Sequence, residues 1–126
     1  MVMEPKDHHV AVLGASPKPQ RYSNQAIRLL ISKGYRVSPV NPAFAEIEGL
    51  ATYHSLRLIE ESVDTLTLYV SPRHIESMIE DIVRLRPARV IFNPGTESRV
   101  LERRLAGESI PHFDACTLVM LRTNTF

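Results

Sequence analysis

The chain has 126 residues, 44% of them hydrophobic, which is enough for one compact core and too few for two ordinary domains. Its 15 Lys and Arg against 14 Asp and Glu leave no global field to hold a polyanion, so nucleic acid is excluded as a default partner. No stretch approaches the ~18 uninterrupted apolar residues of a membrane span, the start MVMEPKDHH lacks a signal peptide's apolar centre, and the lone Cys116 supplies neither an intrachain disulfide nor a cysteine-cluster zinc site; a cytoplasmic chain without a membrane partner is expected.

His9 to Leu13 is a short apolar run ending at Gly14, which predicts a buried strand. Ser23 is the expected cap of a helix with Ala26, Ile27, Leu30 and Ile31 on one face, and Gly34 supplies its left-handed stop. Arg36 to Val40 reads as a second strand that breaks at Asn41-Pro42. Pro39 argues against a central position for it, because a central strand needs every N–H in its ladder. From Ala43 to Glu61 the pattern is poor. A loop is expected there, with a turn at Gly49 and a short helix capped by Ser55.

Val63 to Val70 is rich in β-branched and aromatic residues and predicts a third strand. Ser71-Pro72 then reads as an N-cap followed by proline at the first helical position, where its missing N–H costs nothing. Ile75, Met78, Ile79, Ile82 and Val83 repeat at the spacing of one buried helical face, and Pro87 ends the segment. A fourth strand, Ala88 to Phe92, runs into Asn93-Pro94-Gly95-Thr96. A further helix carries Val100, Leu101 and Leu105 to Gly107, and Ile110 to Phe113 makes a fifth strand. Ala115 to Leu121 is an apolar tail of unassigned type.

Strands alternating with helices through short connections imply right-handed crossovers: an α/β, Rossmann-like fold in one domain, residues 1–126, with a parallel five-stranded sheet and helices on both faces. Ligands of such sheets bind outside the carboxyl ends of the strands at the switch point, which the usual strand order puts between the first and fourth strands. Four loops reach that edge: Gly14 to Tyr22, Asn41-Pro42, Ser71-Pro72 and Asn93 to Thr96.

A helix start gathers unpaired N–H groups and the positive end of the macrodipole, so the first loop is a natural phosphate seat, reinforced by Lys18 and Arg21. The dinucleotide fingerprint G-x-G-x-x-G is absent, since Gly14-Ala15-Ser16-Pro17 carries one glycine. After the second strand an NAD site would offer an acid and an NADP site a cation, but Asn41-Pro42 stands there. The nicotinamide cofactors are therefore disfavoured, while a phosphate-bearing adenine ligand is not.

GASPKPQRYSN after the first strand, VNP after the second, a Pro-started helix after the third, a Pro-Gly turn after the fourth and the terminal CTLVML together resemble the stand-alone CoA-binding domain family. That family is similar to the nucleotide-binding domain at the start of the succinyl-CoA synthetase α subunit and of ADP-forming acyl-CoA synthetases. The resemblance runs from Val10 to Leu121 and rests on the order of the motifs. It implies coenzyme A as the ligand. Gly14, Ala15, Ser16, Lys18, Arg21, Tyr22 and Ser23 would hold the phosphates, and Asn41 and Pro42 would lie against the adenosine. Val70, Ser71, Pro72 and His74 would border the nucleotide, and Asn93, Pro94 and Gly95 would line the path of the pantetheine arm. The ligases also use a phosphorylated histidine from a following domain and a nucleotide-grasping partner; neither occurs in this sequence, so a binding module is expected rather than an enzyme.

Each of these residues also has a purely structural reading. Gly14 can serve a turn alone, Lys18 and Arg21 can be solvated loop charges, Asn41-Pro42 can be a turn, and Ser71 is first a helix cap. His8 and His9 are expected to be solvated ahead of the first strand. No pair among His8, His9, His54, His74 and His112 has the spacing of a helical zinc site, so no metal is expected. Cys116 before an apolar run reads as a small buried hydrophobe, and Glu60-Glu61 and Glu80-Asp81 fall on polar faces. Three functions stay open: a CoA or acyl-CoA binding module, a CoA-site subunit completed by a ligase-like partner chain, and an NAD-type redox sensor.

Overall fold

A computed structural model describes residues 3–126. Strands β1 (His9–Leu13), β2 (Arg36–Val40), β5 (Thr65–Leu68), β6 (Arg89–Phe92) and β7 (His112–Asp114) form one parallel sheet in the order β2-β1-β5-β6-β7. A two-stranded antiparallel hairpin, β3 (Glu46–Ile47) and β4 (Leu50–Ala51), lies in the connection after β2. The expected fold class is thus borne out. The reversal of strand order falls between β1 and β5, the third strand of the main sheet in chain order, and not beside the fourth; this is the flavodoxin-type winding.

Alternation along β1 shows why both faces are covered, with all five residues buried. Ala11 and Leu13 join Leu66, Leu68, Val90 and Phe92 in a core closed by Ile75, Ile79 and Ile82 of one layer and by Leu101 and Leu105 of α4 (Arg99–Gly107). Val10 and Val12 face the other way, onto Ile27 and Leu30 of α1 (Tyr22–Ser32), Leu121 of α5 (Thr117–Arg122) and Ile47 of the hairpin. The unassigned tail is therefore a helix. Ser98 caps α4, its hydroxyl accepting from the Leu101 N–H at 3.2 Å.

Pro39 is tolerated because β2 is an edge strand. The Val40 carbonyl faces β1, accepting from Gly14 and Ala15, while the Pro39 carbonyl faces outward to the Tyr53 N–H. Strand residues direct their N–H and C=O to one side, so the missing donor falls on the outer edge.

Several boundaries differ from the sequence expectation. Helix α1 starts at Tyr22 with Arg21 as its N-cap, and Ser23 is buried within the first turn instead of capping it; Ile31 is exposed. The strand expected over Val63 to Val70 spans only Thr65–Leu68, and the last strand is shifted to His112–Asp114. The single helix expected after Ser71 is broken into α2 (Pro72–Ile75), a 3-10 turn at Glu76–Met78 and α3 (Ile79–Leu85). At the break the Ser77 hydroxyl donates to the His74 carbonyl three residues back, which competes with the helical ladder. The poorly patterned loop holds the hairpin as well as the short Ser55-capped turn, Leu56–Leu58. His9 is buried rather than solvated: its Nδ1 lies 2.8 Å from the Ser62 carbonyl and its Nε2 2.6 Å from the Ser38 hydroxyl. No helix of the described residues is long and apolar enough to cross a membrane.

Candidate functional site

At the carboxyl edge the β1–α1 loop is held by backbone first. Gly14 and Ala15 both donate their N–H groups to the Val40 carbonyl, at 3.1 and 3.2 Å. Those two donors are therefore not available to a phosphate. Gly14 is dictated by crowding: its φ is +87°, and a Cβ there would stand 2.7 Å from the Tyr69 carbonyl oxygen. Beyond it, Asn24 is fully buried and donates to the Ser16 carbonyl at 2.9 Å and to the Glu48 carboxylate at 3.1 Å, while its own oxygen accepts from Arg28 Nε at 2.8 Å. Asn41 ties the end of β2 to the same loop through the Ala15 carbonyl at 2.8 Å.

The free donors lie at the start of α1. Gln25 makes the first helical bond, to the Arg21 carbonyl, so Tyr22, Ser23 and Asn24 have N–H groups with no helical partner. The first turn carries no acidic residue; its N-cap is Arg21, and Lys18 sits just ahead. Both cations are exposed and neither makes an ion pair with a described residue. Positive charge at the positive pole of a helix is unfavourable by itself and favourable once an anion sits there.

Three cavities with shared wall residues follow this edge. The central one, about 540 Å³, is bordered by the β1–α1 loop (Gly14, Ala15, Ser16, Lys18, Arg21, Tyr22, Ser23), by Asn41, by Val70 and Ser71 after β5, and by Pro94 and Gly95 after β6. A second, about 480 Å³, shares Gly14, Asn41 and Val70 with it and adds Pro42 and His74 over an apolar floor of Leu13, Val40, Leu56 and Met78. A third, about 300 Å³, shares Tyr22, Tyr69 and Pro94 and adds Asn93, Cys116, Leu118 and Arg122.

All but one of the residues singled out from the sequence thus border at least one of these three adjoining cavities. The exception is Pro72, which lines none of the three cavities and serves as the first residue of α2. Asn93 is only 3% exposed and its side chain is fully engaged, donating to Thr67 Oγ1 and the Leu68 carbonyl and accepting from the Thr117 N–H. It shapes the wall and starts α5, with no donor left for a ligand. Ser71 pairs with His74 Nδ1 at 3.0 Å and does not cap through its side chain. Gly95 has φ +90° and gives its N–H to the Glu97 carboxylate.

Sequence reasoning missed Tyr69, which borders two of the cavities and whose phenol oxygen is buried without a hydrogen-bond partner. Burial pushes that phenol up to about 12. Its neighbours Thr67 and Thr117 are 2.8 Å apart and bond to each other. Also missed were Phe44, His54 and Gln25 in the walls. Cys116 is half-buried at the third cavity, more open than a core cysteine.

A parallel doubly wound sheet with an open helix N-terminus and cavities along its switch point defines a Rossmann-like α/β domain. A family model described as "CoA binding domain" matches residues 8–122, and the chain belongs to that family. Among its relatives, the uncharacterized protein YneT of Bacillus subtilis is 26% identical over 78 residues, 62% of this chain and 58% of that protein. The ADP-forming acetate–CoA ligase I of Archaeoglobus fulgidus is 33% identical over 102 residues, 76% of this chain but 15% of the ligase. The chain therefore spans less than two thirds of either relative. A crystal structure of an uncharacterized protein, 40% identical, superposes with a TM-score of 0.89 over 94% of this chain and 98% of that one.

Proposed function

We propose that this chain binds coenzyme A, free or acylated, along the carboxyl edge of its sheet, as a binding module with no chemistry of its own. The observation that carries the reading is the order of the three cavities. Coenzyme A is an adenosine, a run of phosphates and a flexible amide arm ending in a thiol. The chamber with the apolar floor beside Asn41 and Pro42 suits the adenine ring. The central chamber, with Lys18, Arg21 and the open N–H groups of α1, suits the phosphates. The chamber between Tyr22, Tyr69 and Cys116 suits the arm, and the unpartnered Tyr69 hydroxyl is a polar atom an amide would satisfy.

A second reading is supported by the acetate–CoA ligase relative: this chain supplies the CoA site to an enzyme completed by a partner chain. Native mass spectrometry of freshly purified protein tests the primary reading, with a carried-over mass of CoA or an acyl-CoA expected. Retention of a dinucleotide, together with no calorimetric heat on adding CoA, overturns it. Incubation with ATP, CoA and carboxylic acids separates module from enzyme; acyl-CoA or a phosphohistidine formed by this chain alone overturns the non-catalytic role.

A further inference from the structure

The amino edge of the sheet, opposite the cleft, holds a separate cavity of about 370 Å³ near the lower end of the usual ligand-pocket range. Arg89, the first residue of the interior strand β6, lines it. Its Nε donates to Thr65 Oγ1 at 2.8 Å and its guanidinium stacks over the Phe126 ring at 4.6 Å, but its Nη2 is buried with no partner. No carboxylate of the described residues pairs with it. Around it, His8, Tyr35 and Phe126 form a cage of three rings with centroids 5.2 to 5.3 Å apart.

The neighbouring groups leave that charge without an ion pair; the Asp64 carboxylate, which acts to raise the His8 pKa, accepts from the His9 N–H at 2.8 Å. Thr65 Oγ1 accepts from Arg89 Nε and lies 2.7 Å from His8 Nε2, so one hydroxyl links the guanidinium to the imidazole. Burial, then the Arg89 charge, lower the His8 pKa in the same sense. Lys33 adds a second cation at the cavity mouth, held only by a 3.4 Å contact to Asn124. A half-buried guanidinium with an idle donor, a second cation and an apolar wall of Leu121, Tyr35 and Phe126 lack one thing, an anion.

We propose that this cavity binds a small organic carboxylate, with its charge on Arg89 Nη2 and Lys33 and its apolar body against the ring cage. The site is independent of the CoA cleft and stands or falls without it. Titrating the full chain with benzoate, followed by ¹H–¹⁵N NMR, tests it. Expected is a saturable shift of the Arg89 Nε–H signal and of the Tyr35 and Phe126 amides, unchanged by prior addition of CoA. Arg89→Gln should weaken benzoate at least about tenfold, and Lys33→Gln, at an exposed position, about threefold. Absence of a saturable shift at millimolar benzoate overturns the proposal. So does unchanged affinity in Lys33→Gln, or binding of inorganic phosphate as tight as benzoate, which would leave the apolar wall without a role.

Discussion

The buried Asn24 side chain holds the Ser16 carbonyl at 2.9 Å, so the helix that offers its N-terminus to the cleft also fixes the loop in front of it. All three of its contacts, to Ser16, Glu48 and Arg28, are lost in Asn24→Ala, which leaves polar partners unsatisfied. A loss of about 1–3 kcal/mol is expected, readable as a lowered urea midpoint with an unchanged slope. CoA affinity should fall too, although every cation is still present. Full stability in this variant would mean that water replaces the network.

Gly14 and Gly95 both have positive φ, and they separate strain from crowding. A Cβ at Gly95 meets nothing within 4 Å, so Gly95→Ala should cost only the left-handed penalty of about 1–2 kcal/mol. Gly14→Ala adds a collision with the Tyr69 carbonyl and the Val70 side chain and should be clearly the less stable of the two. Thermal unfolding of the pair decides it; equal midpoints would show that β5's end moves aside freely. The same geometry makes Gly14→Val a folding variant, so loss of CoA binding in it would not by itself locate the ligand.

What could be read from the residues was whatever recurs with a period or ends on a backbone-specific residue. The strand ending at Gly14, the edge position implied by Pro39 and the carboxyl-edge loops are of that kind. Tyr69 was hidden because an aromatic after a β-rich run looks like more strand, while the chain leaves the sheet after Leu68. Asn24, and the buried bracing role of Asn93, were hidden because a polar residue shows its burial only through partners far along the chain. The start of α1 was displaced because Arg28 bonds the Pro19 carbonyl at 2.8 Å, so tertiary bracing set the loop and Ser23 had no capping role left. Two-residue strands such as β3 and β4 have no period to detect.

Replacing both Lys18 and Arg21 by alanine should leave folding intact or slightly improve it, because each cation faces the positive helix end, worth about 0.3–1 kcal/mol in the opposite sense. Binding should move the other way. Charge-assisted bonds of about 1.5–3 kcal/mol predict at least a tenfold weaker CoA complex, with a shallower salt dependence than the parent. Calorimetry at two ionic strengths reads both effects; unchanged affinity assigns the phosphates to another loop.

His8 sets an expectation for pH. Its pKa is lowered in the folded state by burial first and by Arg89 second, relative to 6.5 in the unfolded chain. The unfolded state therefore takes up the proton first, so this contribution is fully present above 6.5 and is lost as pH falls below it through the folded value. Urea titrations from about pH 7 down to about pH 5 should show stability falling more steeply in the parent than in His8→Gln. Parallel slopes would show that the ring ionises equally in both states.

Tyr69→Phe distinguishes a wall residue from a ligand contact. The phenol oxygen is buried with no partner at good hydrogen-bond geometry, and burial, opposed by the nearby Thr67 and Thr117 hydroxyls, pushes it up to about 12; those two hydroxyls keep each other as partners when it is removed. Stability should be unchanged or higher. If the amide arm of CoA runs between Tyr22 and Tyr69, the same variant forfeits a neutral hydrogen bond of about 0.5–1.5 kcal/mol, a two- to tenfold loss of affinity by about 1.4 kcal/mol per decade. Ultraviolet titration adds an independent check, because one of the four tyrosines should ionise late in the parent and not in the variant. A variant that gains stability and binds CoA as tightly as the parent would remove the arm from the Tyr69 cavity while leaving the phosphate chamber standing.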